Sequence, residues 1–190
     1  MPNLTQYKNA LANLARPNQF QVSLFFPGAL GALVQNLTGA NQVVQFMCKN
    51  ATIPKSEIGT MPIKVFGRPL PMPGDRLFES MSLSVYNDEG FTLRSAFEAW
   101  LAAMQPHSVT GVLPNFSTAS SQNSTSVYVS QLGRDGSVLQ TYEYQNAFPT
   151  TLSEIALDWS TDNTPEEYTV SFAYSWWTTL DIAAIDAAGG

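Results

Sequence analysis

The sequence lacks most of what catalysis and secretion use. Its 190 residues include one cysteine, Cys48, and one histidine, His107. A single cysteine cannot form an internal disulfide, and no early segment has the basic-then-apolar order of a signal peptide. We therefore expect synthesis in a reducing cytoplasm.

Charge and long apolar runs are also scarce. Charged residues make up 13% of the chain, whereas soluble surfaces usually carry about 25–35%, so the composition favours an assembly. Nine basic and six acidic residues precede position 135, giving +3, and nine acidic and no basic residues follow, giving −9. This acidic part disfavours tight nucleic-acid binding. The apolar run 24–34 is too short and too broken to span a bilayer, so no membrane role is predicted.

Candidate catalytic groups are few. A cysteine hydrolase could pair Cys48 with His107, but a small buried strand cysteine and an exposed loop histidine explain both residues better. Neighbouring acids at turns are usually solvated rather than a glycosidase pair. These acids are Glu166 with Glu167 and Asp158 with Asp162. The stretch "GALG" at 28–31 lacks the lysine of a phosphate loop. We predict no catalytic residue, metal site or cofactor.

Residue periodicity predicts a mainly antiparallel β protein. A helix is expected at 92–104, where apolar residues form one stripe behind Thr92 as N-cap. A short helix is expected at 3–15. Alternation predicts strands at 18–26, 43–50, 125–132, 138–145, 153–159 and 167–177, and again around 80–85. The proline-rich segment 54–76 is predicted to be a projecting loop with an extended piece at 62–66.

Two predicted strands have one face of small uncharged residues. Tyr168, Val170 and Phe172 continue to Tyr174 and Trp176 on a large face that predicts a core. The opposite small faces could be a lumen, a seam between subunits or an ordinary solvent face. Their residues are Ser80, Ser82, Ser84, Thr169, Ser171 and Ser175.

Several segments occur in an order and spacing that resemble the tail tube protein of T-even-like contractile phages. They are "ARPNQFQVSLFF", "QFMCKNATIP", "PMPGDRLFESMSLSVYNDEG" and "LSEIALDWSTDNTPEEYTVSFAYSWW". Within them the triplets RPN (16–18), GDR (74–76), NDE (87–89) and LDW (157–159) lie in register. The match spans about 15–177. The segments 27–42 and 105–125 look longer than the family pattern.

The resemblance implies a single tail-tube domain over 1–190, with a helical arm at 1–16 and a tail at 178–190. It implies a β-sandwich or barrel-like subunit with one flanking helix, whose copies pool strands into hexameric rings. Stacked rings would form the inner tube of a virion tail, assembled in the host cytoplasm. Implied partners are the sheath, the baseplate, a terminator and viral DNA that passes without specific binding.

The basic residues of the projecting loop are the predicted contacts between stacked rings. They would meet acids of the C-terminal third in the next ring, because stacking needs complementary surfaces that repeat along an axis. The basic residues assigned to this interface are Lys55, Lys64, Arg68 and Arg76, and Asp75 is assigned to it with them. A bacterial contractile injection tube and a β-sandwich host- or sugar-binding module, with Trp176 and Trp177 as exposed aromatics, stay as alternatives.

Overall fold

The computed structural model describes residues 14–27, 47–104 and 124–180, together with positions 3, 4, 8 and 11. The described part is mainly β and confirms the predicted antiparallel fold with a flanking helix. Its elements in chain order are β1 (Phe20–Leu24), β2 (Cys48–Ala51), β3 (Glu57–Val65), β4 (Arg68–Leu77), β5 (Met81–Tyr86), α1 (Thr92–Met104), β6 (Thr125–Leu132), β7 (Val138–Leu152), β8 (Glu167–Ala173) and β9 (Trp176–Leu180).

Seven strands form one antiparallel sheet in the order β1-β6-β7-β8-β5-β2, with β9 also paired to β7. The strands β3 and β4 form a separate two-stranded sheet. In the described residues β1 and β2 end the order without pairing to each other, so the subunit is not a closed barrel.

The long strand β7 joins the two halves of the sheet. Its first part pairs with β6 and β9, and its last part pairs with β8. Asn146 has a φ of 55° and the register shifts between Pro149 and Thr151, which marks a bend in the middle of the strand. The predictions of a strand ending at 145 and of another at 153–159 are therefore wrong. A single strand crosses the bend to Leu152, and an irregular segment follows.

The predicted strand 167–177 is divided into β8 and β9 at Tyr174 and Ser175. Both parts pair with β7 in one continuing register, since Phe148 faces Ala173 and Gln145 faces Trp176. The chain bends because β7 bends beside it. As a result Trp176 is 42% exposed, in contrast to the core position that its alternation predicted.

The core lies where the sheet and α1 meet. Phe97 and Trp100 of α1 pack against Phe172 of β8 at steep ring angles of 72° and 60°, with ring centroids 6.0 and 6.2 Å apart. Phe26 contacts the same two helix rings at 5.6 and 5.7 Å. Strand residues from both halves of the sheet complete this cluster, among them Val22, Leu24, Leu83, Val85, Val127, Val129 and Val170.

The helix α1 has the bounds that the sequence predicted. Its start differs in one detail, because the backbone N–H of Thr92 donates to Oδ2 of Asp88 at 3.3 Å. Burial raises the pKa of Asp88, but hydrogen bonds from the hydroxyl and backbone of Thr92 outweigh it and lower the pKa overall. The carboxylate thus stays charged beside the positive end of the helix.

Other predictions fall only partly on the described residues. The strand predicted at 18–26 is confirmed as β1. The predicted helix at 3–15 and the first part of the strand at 43–50 lie mostly outside them. The tail assigned to 178–190 begins inside β9, and its residues from 181 on lie outside the description. None of the helices in the described ranges is long and apolar enough to cross a membrane.

Candidate assembly surfaces

The strands β3 and β4 form a long hairpin that projects from the sheet. The predicted irregular loop at 54–76 is wrong in this respect, since eight cross-strand pairs connect the two strands from Glu57–Leu77 to Val65–Arg68. Every residue of β4 is exposed, and β3 is exposed along most of its length. At about 3.3 Å per residue, the nine residues of β3 extend roughly 30 Å.

The prolines of this hairpin occupy positions at which they do not interrupt the pairing of its strands. Pro62 faces Pro71, and Pro69 and Pro73 occupy pairs of the same parity. In an antiparallel ladder, hydrogen-bonded and non-hydrogen-bonded pairs alternate. At the non-hydrogen-bonded pairs the backbone nitrogens point away from the partner strand, so proline at these positions removes no hydrogen bond of the hairpin. The outer edge of β4 consequently lacks three donors. This edge cannot readily accept another strand, and contacts of the hairpin must use its faces.

One face of the hairpin is apolar apart from Arg68 beside the turn. The pairs Met61–Met72 and Ile63–Leu70 lie on the same side as Val65, because directly opposed residues of a ladder share a face. All five side chains are exposed. We call Met61, Ile63, Val65, Leu70 and Met72 the hairpin face. Contiguous exposed apolar side chains of this kind mark interaction surfaces.

The hairpin turn is strained and exposes an aromatic ring. Phe66 and Gly67 have φ values of 50° and 79°, as a two-residue type I′ turn requires. Glycine adopts this conformation without cost, whereas a bulky residue such as phenylalanine rarely does. The Phe66 side chain is fully exposed. Neither local conformation nor burial within the chain therefore accounts for phenylalanine at the tip.

Two glycines allow the backbones of the hairpin strands to approach closely at a bulge. The register shifts between Ile58 and Thr60, opposite Gly74 and Asp75. A Cβ on Gly74 would lie 3.1 Å from the carbonyl oxygen of Gly59. The close backbone approach thus favours the glycine of the GDR triplet, which lies at the bulge of the hairpin.

The predicted ring-stacking residues all lie on the hairpin or at its base, but in different surroundings. Lys55 is ion-paired with Glu57 and, at 3.1 Å, with Glu79. Lys64 and Arg68 flank the turn on opposite faces, and neither is among the residues that form salt bridges in the described ranges. Asp75 and Arg76 lie at the bulge. Their role between rings stays a prediction.

Four of the six predicted small-face residues share one surface. Ser82 faces Ser171 and Ser84 faces Thr169 across β5 and β8, and the hydroxyls of Ser84 and Thr169 are 3.5 Å apart. At the end of this surface Lys49 is ion-paired with Glu167. The described surface is therefore uncharged or internally neutralised. We call these four residues the serine face.

Ser80 and Ser175 do not belong to the serine face. Ser80 precedes β5, and Ser175 lies at the bend between β8 and β9, where its N–H donates to the carbonyl of Gln145. Simple alternation included them because it cannot detect where a strand starts or bends. The assignment of the serine face to a lumen or a seam stays a prediction.

The segment 153–166, which we call the acidic loop, exposes two large apolar side chains. Leu157 is 80% exposed and Trp159 is fully exposed. Hydrogen bonds from Ser160 lower the pKa of Asp158, so this carboxylate stays charged at neutral pH. Sequence reasoning placed Leu157 in a strand and missed this surface. The turn residues Asn163 and Pro165, which follow directly, were the available signal.

The candidate catalytic groups show no shared site among the described residues. Burial raises the pKa of the Cys48 thiol to about 11, which disfavours the reactive thiolate. His107 lies outside the described residues. Glu166 accepts a hydrogen bond from Asn87, whereas Glu167 contacts Lys49. Within the described ranges, no three potential metal-binding side chains come together.

Comparison with known proteins identifies relatives for most of the chain. The family model of the phage tail tube protein matches residues 15–180. The tail tube protein gp19 of Enterobacteria phage T4 is 30% identical over 168 residues, which cover 87% of this chain and 91% of the relative. The tail tube protein of Serratia phage KSP90 is 22% identical over 178 residues, covering 92% and 95%.

Solved structures share the fold at lower identity. In the sheath-tube complex of an extracellular contractile injection system, PVC, a chain aligns with a TM-score of 0.59 and 15% identity, covering 96% of this chain and 100% of that one. In the anti-feeding prophage tube terminating cap, a chain aligns with a TM-score of 0.60 and 17% identity, covering 88% and 91%.

Proposed function

Since this chain belongs to the phage tail tube protein family and is a structural tail component, we propose that its copies form rings that stack into the inner tube of a contractile virion tail. The observation that carries the proposal is the hairpin β3–β4. It exposes a continuous apolar face that no described part of the same chain covers. A surface of this kind is stabilised by a second copy.

The tube requires several copies in each ring. A barrel of about eight strands is filled by its own side chains, whereas an aqueous bore needs roughly 16 or more. The seven-stranded sheet is open, with β1 and β2 at its ends. We propose six copies per ring, which pool strands around a common lumen and thereby remove exposed sheet edges.

Viral DNA is proposed to pass through the lumen without binding. The serine face is the candidate lining, because short hydroxyl side chains leave the bore wide and offer no cation to phosphate. Its only described charges, Lys49 and Glu167, neutralise each other. The net charge of −6 adds a general repulsion of DNA.

Further proposed partners are the sheath, the baseplate and a terminator. Chains with this fold occur in structures described as a sheath-tube complex, a sheath/tube terminator and a baseplate. We place residues 1–190 in one tail-tube domain, located in the virion tail and assembled in the host cytoplasm. The role is structural, so no catalytic step is proposed.

A tube of a bacterial contractile injection system is the second candidate, because the aligned solved structures come from such systems. The phage relatives are favoured by their higher identity, 30% for the T4 protein against 17% for the anti-feeding prophage cap. Purified virions that contain this chain in a tail attached to a DNA-filled capsid would decide for the phage tail. Particles that carry it without a capsid would decide for an injection system.

Electron microscopy of concentrated protein tests the proposal. Wild-type protein should form rings and tubes, and we would replace residues 62–71 with Asn-Gly to isolate the role of the hairpin. This change joins the Met61–Met72 pair by a two-residue turn and leaves the rest of the fold intact. The variant should form rings but no tubes.

The control carries Leu139→Thr, an exposed residue on β7 outside the hairpin, and it should form normal tubes. Tubes of normal length from the shortened-hairpin variant would contradict the stacking role. A monomer at every concentration for the wild type would contradict the tube itself.

A further inference from the structure

The structure assigns a receiving surface for the hairpin. We propose that the hairpin face of one copy docks on the acidic loop of a copy in the next ring, with Leu157 and Trp159 as its apolar contacts. This inference rests on the proposed stacking of rings and names the partner surface that stacking requires.

The two surfaces leave opposite ends of the same part of the sheet. The hairpin joins β5 at Met81, which pairs with Phe172, whereas the acidic loop joins β8 at Glu167, which pairs with Tyr86. Five residue steps along β5 separate the two ends, about 17 Å at about 3.3 Å per step. A contact between two different surfaces at opposite ends of one subunit repeats without closing, as a tube requires.

The chemistry of the two surfaces is complementary in its apolar part. Leu157 and Trp159 lie two positions apart in the sequence, and the described residues leave both side chains exposed. The hairpin face and the Phe66 tip supply matching apolar groups. Tryptophan is among the residues that contribute most energy when an interface buries them.

Charge favours the same pairing. Between positions 58 and 74 the hairpin has Lys64 and Arg68 and no acidic residue. Arg68 pairs with Val65 and lies on the side of the hairpin face, whereas Lys64 lies on the other side. The acidic loop has no basic residue. Its acids are Glu154, Asp158, Asp162 and Glu166. Opposite charges around an apolar centre guide association and fix its register. Docking of a hairpin on another hairpin would instead place like charges together.

Two variants separate the two sides of the contact. The loop variant carries Leu157→Ser and Trp159→Ser, and the hairpin variant carries Ile63→Thr and Leu70→Thr, which keep strand propensity. Each variant alone should form rings, and the protein concentration at which these rings stack into tubes should rise about tenfold or more. Circular dichroism should match the wild type, because all four side chains are exposed.

A mixture of the two variants gives the distinguishing result. A ring of the loop variant keeps its hairpin face, and a ring of the hairpin variant keeps its acidic loop. These two surfaces can dock at a single interface, so one ring of each variant should form a pair and nothing longer. Analytical ultracentrifugation and electron microscopy would detect ring pairs, and Leu139→Thr serves as the control with normal tubes.

The outcomes distinguish this inference from the proposed function. Normal tubes from the loop variant, or no ring pairs in the mixture, would overturn the assigned surface while wild-type tubes still support stacking. Normal tubes from the loop variant that no longer bind sheath protein would show that the sheath is the occupant. Wild-type protein without rings or tubes would overturn both.

Discussion

The strands β4 and β5 follow one another in the chain and carry similar apolar residues, yet their surroundings are opposite. Leu83 of β5 is 0% exposed, whereas Leu70 of β4 is 52% exposed. The strand β5 lies between β8 and β2 over the core, and β4 pairs only with β3. Alternation therefore predicts that a strand has an apolar face, but it does not predict whether the same chain or another copy covers that face.

The largest expected loss of stability comes from a substitution in the buried core. Phe97→Ala removes a buried ring that contacts Phe172 and Phe26, and it should lower the free energy of unfolding by about 3–5 kcal/mol. Chemical denaturation of non-assembled protein measures the loss. Leu70→Ala, the matched change on the hairpin, should cost less than about 1 kcal/mol because its side chain is exposed.

A smaller effect is expected at the bulge. Gly74→Ala places a Cβ 3.1 Å from the carbonyl oxygen of Gly59, so the strands must separate by a few tenths of an ångström. We expect a cost of about 1–3 kcal/mol, confined to the hairpin. Hydrogen exchange should speed up for amides of β3 and β4 and stay unchanged in β5. Gly136→Ala is a poor control because its φ of 82° strains alanine for a different reason. Gly59→Ala is the better comparison, since a Cβ there would lie 3.4 Å from the carbonyl oxygen of Asp75, an ordinary contact, and should cost less.

The smallest expected effect is a gain in stability. Phe66→Asn suits a positive φ and removes an exposed ring, so the hairpin should become more stable by up to about 1 kcal/mol. If the tip serves contacts between copies, tube growth should weaken in the same variant. Slower hydrogen exchange in the hairpin together with normal tube growth would contradict a role for the ring at the tip.

The sequence predicted those features that depend on local pattern. The stripe of Leu93, Phe97 and Trp100 predicted α1 with its correct ends, since a helix buries one face wherever it packs. The alternation of Met81, Leu83 and Val85 likewise predicted β5. In both segments the apolar residues that share one face in the sequence pattern are the residues that the fold buries.

Features that depend on distant partners could not be read in this way. The bend between β8 and β9 follows the bend of β7, which lies about 30 positions earlier in the chain. The prolines of β4 looked like loop residues, although three of them share one outward edge. Trp159 was assigned to a strand because its neighbours alternate, whereas no residue of the acidic loop belongs to a described strand.

Oxidative footprinting tests most directly whether the hairpin face is covered by another copy. Hydroxyl radicals should oxidise exposed Met61 and Met72 rapidly in dilute non-assembled protein, while buried Met81 reacts slowly. In assembled tubes, mass spectrometry should show Met61 and Met72 protected about tenfold or more, with Met81 unchanged. Equal oxidation of Met61 and Met72 before and after assembly would contradict the account.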